Sequence, residues 1–157
     1  MYHYCYHFPR LSIATELILD VSLNSVNEIV TMDCESPFDA TVTRPGTIVV
    51  SPNHPNHYEN TEDCQITVRF EESRRVVIKF LAFDIQYQTG CLHDWLEVRD
   101  GDSEVSNQIG PRLCGNTIPN QIISSGNSLT LVFHSDVTFR CSGFIIEVDY
   151  GEQYFII

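Results

Sequence analysis

The amino-acid sequence predicts an all-β fold: a disulfide-bonded β-sandwich of antiparallel strands. Three observations carry that expectation. Apolar residues recur at every second position in several short runs, turn-forming tracts separate the runs, and six cysteines are spread along the chain. QITVRF places Ile66, Val68 and Phe70 on one face, and RVVIKF does the same with Val76, Ile78 and Phe80. SLTLVFHS alternates Leu129, Leu131 and Phe133, and GFIIEVDY alternates Phe144, Ile146, Val148 and Tyr150. A period of two marks a strand with one buried face, and antiparallel sheets are the ones that leave the other face to solvent. Between the runs lie SPNHPN, RDGDS, GPRLCGN and SSGN, rich in residues that turn the chain. Many short strands with regular turns suggest two packed sheets.

The cysteines stand at 5, 34, 64, 91, 114 and 141, and no Cys-x-x-Cys occurs. That argues against zinc knuckles and thioredoxin-like redox motifs. An even, well-spread set favours disulfides and an oxidising compartment. Spacing alone does not select the pairing.

The chain of 157 residues is one ordinary domain with a short extension at each end. Residues 1–33 form an N-terminal extension without glycine. There Ala14, Leu17, Ile18 and Val21 fit one helical face, while a strand remains open. Residues 34–150 carry the strand texture, and 151–157 form a C-terminal tail. The best candidate for a secretory signal, Leu11 to Leu23, is interrupted by Glu16 and Asp20. No Asn-x-Ser/Thr sequon occurs. The cysteines nevertheless ask for secretion, so the chain is expected to be a fragment, or a wrongly started reading, of a longer multidomain extracellular protein.

Net charge is −12 and Lys79 is the only lysine. An acidic surface repels phosphate backbones and anionic lipid, which disfavours nucleic-acid and membrane-surface partners. No apolar run approaches the roughly 18 residues of a membrane span, so no membrane insertion is expected. A basic partner or a cation fits the charge. Arg69, Arg74, Arg75 and Lys79 are the only dense basic stretch and read as a solvated turn between strands.

Catalytic patterns are wanting. His134, Ser135 and Asp136 are triad residue types, but along a strand Ser135 points away from the other two. The sequence holds no Gly-x-Ser-x-Gly elbow, no His-Glu-x-x-His, no P-loop and no dinucleotide fingerprint. Glu97, near Asp94, has no evident partner across a cleft. His54 and His57 form an H-x-x-H pair, but zinc needs three or four convergent ligands, so two exposed turn histidines are expected. The chain is expected to be no enzyme.

The motif order points further. Cys34, TIVVSPNHPNHYEN, Cys64, VVIKFLAFDI, Cys91 followed by LHDWLEVRDG, IGPRLCG, IPNQIISSGNSLTLVFHSD and GFIIEVDY together resemble a CUB domain over residues 34–150. The phrasing is similar to modules of cubilin-type receptors and of tolloid- and complement-type extracellular proteins. The resemblance implies a jellyroll-like sandwich with disulfides Cys34–Cys64 and Cys91–Cys114. Cys5 and Cys141 then pair with each other, pair with a neighbouring domain, or stay free. Two positions depart from the family's habit: Ile66 stands for an aromatic, and His54 for a tyrosine.

The resemblance also implies a calcium site at one end of the sandwich. Its positions fall on Tyr58, Gln86, Asp94 and Asp136, with Gln86 replacing the usual Glu. Calcium takes roughly six to eight oxygens, and carboxylates supply most of the compensating charge. Glutamine keeps one oxygen but loses a charge and bidentate binding; carbonyls near Thr138 and water are the remaining ligands. In such a site Tyr58, Asp94 and Asp136 also receive a Lys or Arg of a protein ligand. The implied function is a non-catalytic extracellular protein-binding module. Two alternatives are an accessory substrate-recognition or assembly domain of an astacin/tolloid- or complement-type protease, and a spermadhesin-like carbohydrate-binding protein.

Overall fold

A computed structural model describes residues 5, 27–35 and 40–152 of the chain. Every regular element among them is a strand: β1 (Ile29–Thr31), β2 (Thr41–Val42), β3 (Thr47–Val50), β4 (Asp63–Arg69), β5 (Arg74–Asp84), β6 (Trp95–Arg99), β7 (Ile122–Ile123), β8 (Ser128–His134) and β9 (Gly143–Glu152). They form a five-stranded sheet in the order β1-β3-β9-β5-β7 and a four-stranded sheet in the order β2-β4-β8-β6. Successive strands therefore belong to opposite sheets, and each connection passes over an end of the sandwich. That topology gathers loops distant in sequence at the two poles. No helix among the described residues is long and apolar enough to cross a membrane.

The central pairs β5–β9, β3–β9, β4–β8 and β6–β8 are antiparallel. Two edge pairs, β1–β3 and β2–β4, are parallel, where the sequence suggested antiparallel strands throughout. In each case a strand of the opposite sheet lies between the partners in sequence, so no hairpin dictates their direction.

The alternating residues turn inwards as their period requires. Ile66, Val68, Leu129, Leu131 and Phe133 of one sheet meet Val76, Ile78, Phe80, Phe144, Ile146 and Val148 of the other, all within one buried cluster. Ile66 is fully buried in the place where an aromatic is customary. Tyr150 behaves differently. It ends the run half exposed, with its ring edge-on to Phe70 at 5.7 Å and under the Arg74 guanidinium at 4.3 Å. On the opposite face of the five-stranded sheet, Ile48, Val50, Ala82 and Ile145 form a smaller buried cluster.

The sandwich starts before Cys34. β1 pairs with β3, and Met32 lies in the main core at 2% exposure. At the other end Gly151 and Glu152 still pair with Arg75 and Arg74. The segment from Leu11 to Leu23, with its helical or strand reading, lies outside the described residues. The basic stretch is no simple turn: Arg74, Arg75 and Lys79 belong to β5, Lys79 meets Glu147 at 3.7 Å, and Arg69 pairs with Asp102.

Disulfides join Cys34 to Cys64 and Cys91 to Cys114, and also Cys5 to Cys141. Loops of the first two sizes are worth about 3–4 kcal/mol each in the chain-entropy account.

Gly143 opens β9 with φ of 86°, and a Cβ there would sit 1.9 Å from Ser51 Oγ. The close approach lets Ser51 Oγ accept the Phe144 N–H at 3.1 Å while Ser51 N–H donates to the Phe144 carbonyl at 3.0 Å. Gly143→Ala is expected to cost about 2–4 kcal/mol in urea denaturation, from left-handed backbone strain plus the clash. Adding Ser51→Gly should recover the steric share but not the backbone share.

Candidate functional site

Three loops converge at one pole: the β3–β4 loop carrying Tyr58, the β5–β6 loop carrying Gln86, His93 and Asp94, and the β8–β9 loop carrying Asp136 and Thr138. Tyr58 is completely buried, with its ring edge-on to Phe133 at 5.0 Å. Its hydroxyl donates to Asp94 Oδ2 at 2.6 Å and accepts the Gln86 N–H at 3.1 Å. Asp94 Oδ1 accepts the Asp136 N–H at 2.8 Å. One buried tyrosine and one buried carboxylate thus tie the three loops together.

The outer part of the site is built on Asp136. Its Oδ1 accepts both the N–H and the hydroxyl of Thr138, each at 2.8 Å. Its Oδ2 meets His93 Nδ1 at 2.5 Å. Gln86 Nε2 donates to Thr138 Oγ1 at 3.3 Å, while Gln86 Oε1 is buried without a hydrogen-bond partner. Thr61, with φ of 59°, donates its N–H to the Asp136 carbonyl at 2.9 Å and anchors the loop from behind.

The electrostatics differ between the two acids. Burial pushes the Asp94 carboxyl above its ordinary value, and the hydrogen bonds from Tyr58 and the Asp136 N–H only partly oppose it. Burial pulls Asp136 the same way, but the hydrogen bonds from His93 and Thr138 outweigh it and hold that carboxyl low. The Tyr58 hydroxyl is raised by burial and then by the neighbouring charge of Asp94.

The four residues singled out from the sequence, Tyr58, Gln86, Asp94 and Asp136, therefore lie in one hydrogen-bonded group. His93 and Thr138 complete it; neither side chain was assigned a part from the sequence, because only the fold carries them to Asp136. A hard cation fits this donor set. Two carboxylates keep lone pairs beyond their present bonds, and the buried side-chain oxygen of Gln86 is an acceptor without a hydrogen-bond partner. Cys34, Glu62 and Cys64 also lie close together, but both sulfurs are bonded to each other and offer no thiolate to a metal.

Other residues weighed from the sequence have different fates. His134 Nδ1 meets Asp63 Oδ1 at 2.6 Å and its ring stacks on Trp95 at 5.2 Å. The Ser135 hydroxyl donates to the Glu59 carbonyl at 2.7 Å, so imidazole and hydroxyl are committed to separate partners. Glu97 does have partners: it is 3% exposed, pairs with Arg99, and accepts from Arg112 Nε at 2.8 Å. Arg112 also lies over the Trp95 ring at 4.2 Å. His54 and His57 are partly buried where exposed histidines were expected, and burial lowers His54 below its ordinary value.

The family model of the CUB domain matches residues 34–148. This chain belongs to the CUB family. Human tumor necrosis factor-inducible gene 6 protein is 39% identical over 105 residues, covering 67% of this chain and 38% of that protein. Human tolloid-like protein 1 is 34% identical over 113 residues, covering 71% of this chain and 11% of that protein. This CUB chain thus spans well under half the length of either relative. Among solved structures, the MASP-1 CUB2 domain bound to Ca2+ superposes with a TM-score of 0.62 at 27% identity, over 69% of this chain and 96% of that one.

Glu62, behind the acidic pole, supplies a pH prediction. Burial is the largest influence on its carboxyl and raises it above the ordinary 4.5. Because the folded value is raised, its stability contribution is complete below the unfolded value and is lost as pH rises through the folded one. Glu62→Gln is therefore expected to melt higher than the native protein near pH 7, with the difference closing as the pH falls below about 4.5.

Proposed function

We propose that this CUB domain is a non-catalytic extracellular protein-binding module, and that its acidic pole captures a Lys or Arg side chain of a protein ligand with the assistance of calcium. The observation that carries this reading is the hydrogen-bonded group of Tyr58, Asp94 and Asp136, which Gln86 joins through Tyr58 and Thr138 while its side-chain oxygen stays buried without a hydrogen-bond partner. Asp94, Asp136 and Gln86 would hold the ion, and the ion would supply the positive charge that organises the carboxylates. The chain's own residues do the rest. Tyr58 fixes the rotamer of Asp94, Thr138 fixes that of Asp136, and the backbone N–H of Asp136 locks the two acids at one spacing. A basic head group reaching Asp136 makes a charge-assisted hydrogen bond, stronger than a neutral one. The net charge of −12 favours approach by a basic partner.

The likeness to tolloid-like protein 1 favours a second reading for the context of the module: a recognition or assembly unit within a larger extracellular protein. A zinc- or serine-protease domain in flanking coding sequence would support it, whereas further CUB or EGF-like units would favour a receptor.

Calcium titration followed by thermal unfolding tests the ion. A ligand selective for the folded state stabilises it by mass action. Millimolar calcium is expected to raise the melting temperature of the native protein, and Asp136→Ala should abolish the rise. Gln86→Glu restores a third carboxylate and should shift the titration midpoint to lower calcium, by about tenfold. No shift in any of the three proteins would remove calcium from the proposal.

A further inference from the structure

The loops that carry the acidic site also carry large apolar side chains turned to solvent. Leu92 is 68% exposed, Val137 73% and Phe139 60%. Each is close in sequence to a residue of the site: Leu92 precedes His93 and Asp94, Val137 follows Asp136, and Phe139 follows Thr138. Isolated apolar residues on a surface need no explanation, but several gathered at one pole do.

Two further observations make these residues a built feature. The backbone is held in the left-handed region beside or at them, with φ of 49° at Cys91 and 33° at Phe139. Bulky side chains avoid that region, and such strain gathers at functional positions. Both loops are also stapled: Cys91 pairs with Cys114 immediately before Leu92, and Cys141 pairs with Cys5 just after Phe139. The apolar side chains are thus presented from loops that have little freedom to fold them away, which lowers the entropy lost when a partner covers them.

We propose that Leu92, Val137 and Phe139 form an apolar rim around the acidic pole, and that the partner is a protein segment whose Lys or Arg is flanked by aromatic or aliphatic side chains. This rests on the capture of a basic side chain proposed above and adds the identity of its neighbours. Charge complementarity sets the centre: Asp136 faces outward with its side chain 22% exposed, and Asp94 lies behind it. The rim then covers the flanks and excludes water from the ion pair, where the pair is stronger than in bulk solvent.

Calorimetric titration of the full chain in millimolar calcium with three end-capped pentapeptides tests this. One has Lys between Phe and Leu, one has Lys between two Ser, and one has Gln between Phe and Leu. The first is expected to bind about tenfold more tightly than either of the others. Leu92→Ser with Phe139→Ser replaces only exposed side chains; it should erase the advantage of the first peptide over the second and leave the second unchanged. Equal affinity of both lysine peptides, unaffected by the double variant, would overturn the rim and leave the acidic capture standing. Equal affinity of the Lys and Gln peptides with Phe and Leu flanks would overturn the basic centre and the capture beneath it. Binding by none of the three would overturn both.

Discussion

The hydroxyl of Tyr58 is the contact on which the pole of this domain depends. Its ring belongs to the core, packed edge-on against Phe133, which in turn meets Phe144 at 5.7 Å. Its oxygen belongs to the site, donating to Asp94 and accepting from the Gln86 backbone. A phenol can do both because its body is apolar and its tip polar. The consequence is that the site is positioned by the same packing that holds the two sheets together. The loops have only to stay attached to a post that the core has already fixed.

Asp94 shows what that arrangement costs. A carboxylate with no exposed surface is destabilised by desolvation, and its raised titration is the sign of it. Two donors answer the charge only in part. Such a group is a poor choice for stability alone. Gln86 fits the same logic. Its backbone N–H and an amide N–H are both used, while its side-chain oxygen is buried without a hydrogen-bond partner. Asp136 lies nearer solvent, and the hydrogen bonds from His93 and Thr138 hold its carboxyl low.

Much of the sandwich was legible in the chain. Alternation at Ile66, Val68 and Phe70, and again from Leu129 to Phe133 and from Phe144 to Val148, is a local pattern, and the face it predicts is the face that is buried. The motif order carried the disulfides Cys34–Cys64 and Cys91–Cys114. Other features were hidden for a common reason. Tyr150 keeps the period of its strand but lies at the end of the sandwich, so alternation could not reveal its exposure. Of Glu97's two partners, Arg99 stands two residues along the same strand and was open to a local reading, whereas Arg112 comes from a segment that merely bridges to β6. The parallel edge pairs and the strand β1 depend on which neighbour each edge finds, and no local signal states that.

The sequence by itself determined the strand faces, the redox class and the acidic character of this CUB domain, because periodicity, cysteine number and charge are properties of the chain read in order. The tertiary structure alone decided that Cys5 meets Cys141 and that His93 lies on Asp136. The second of these arises because successive strands alternate between two sheets. The alternation brings to one pole loops that are separated by dozens of residues, and a contact between distant segments leaves no periodic trace in either of them.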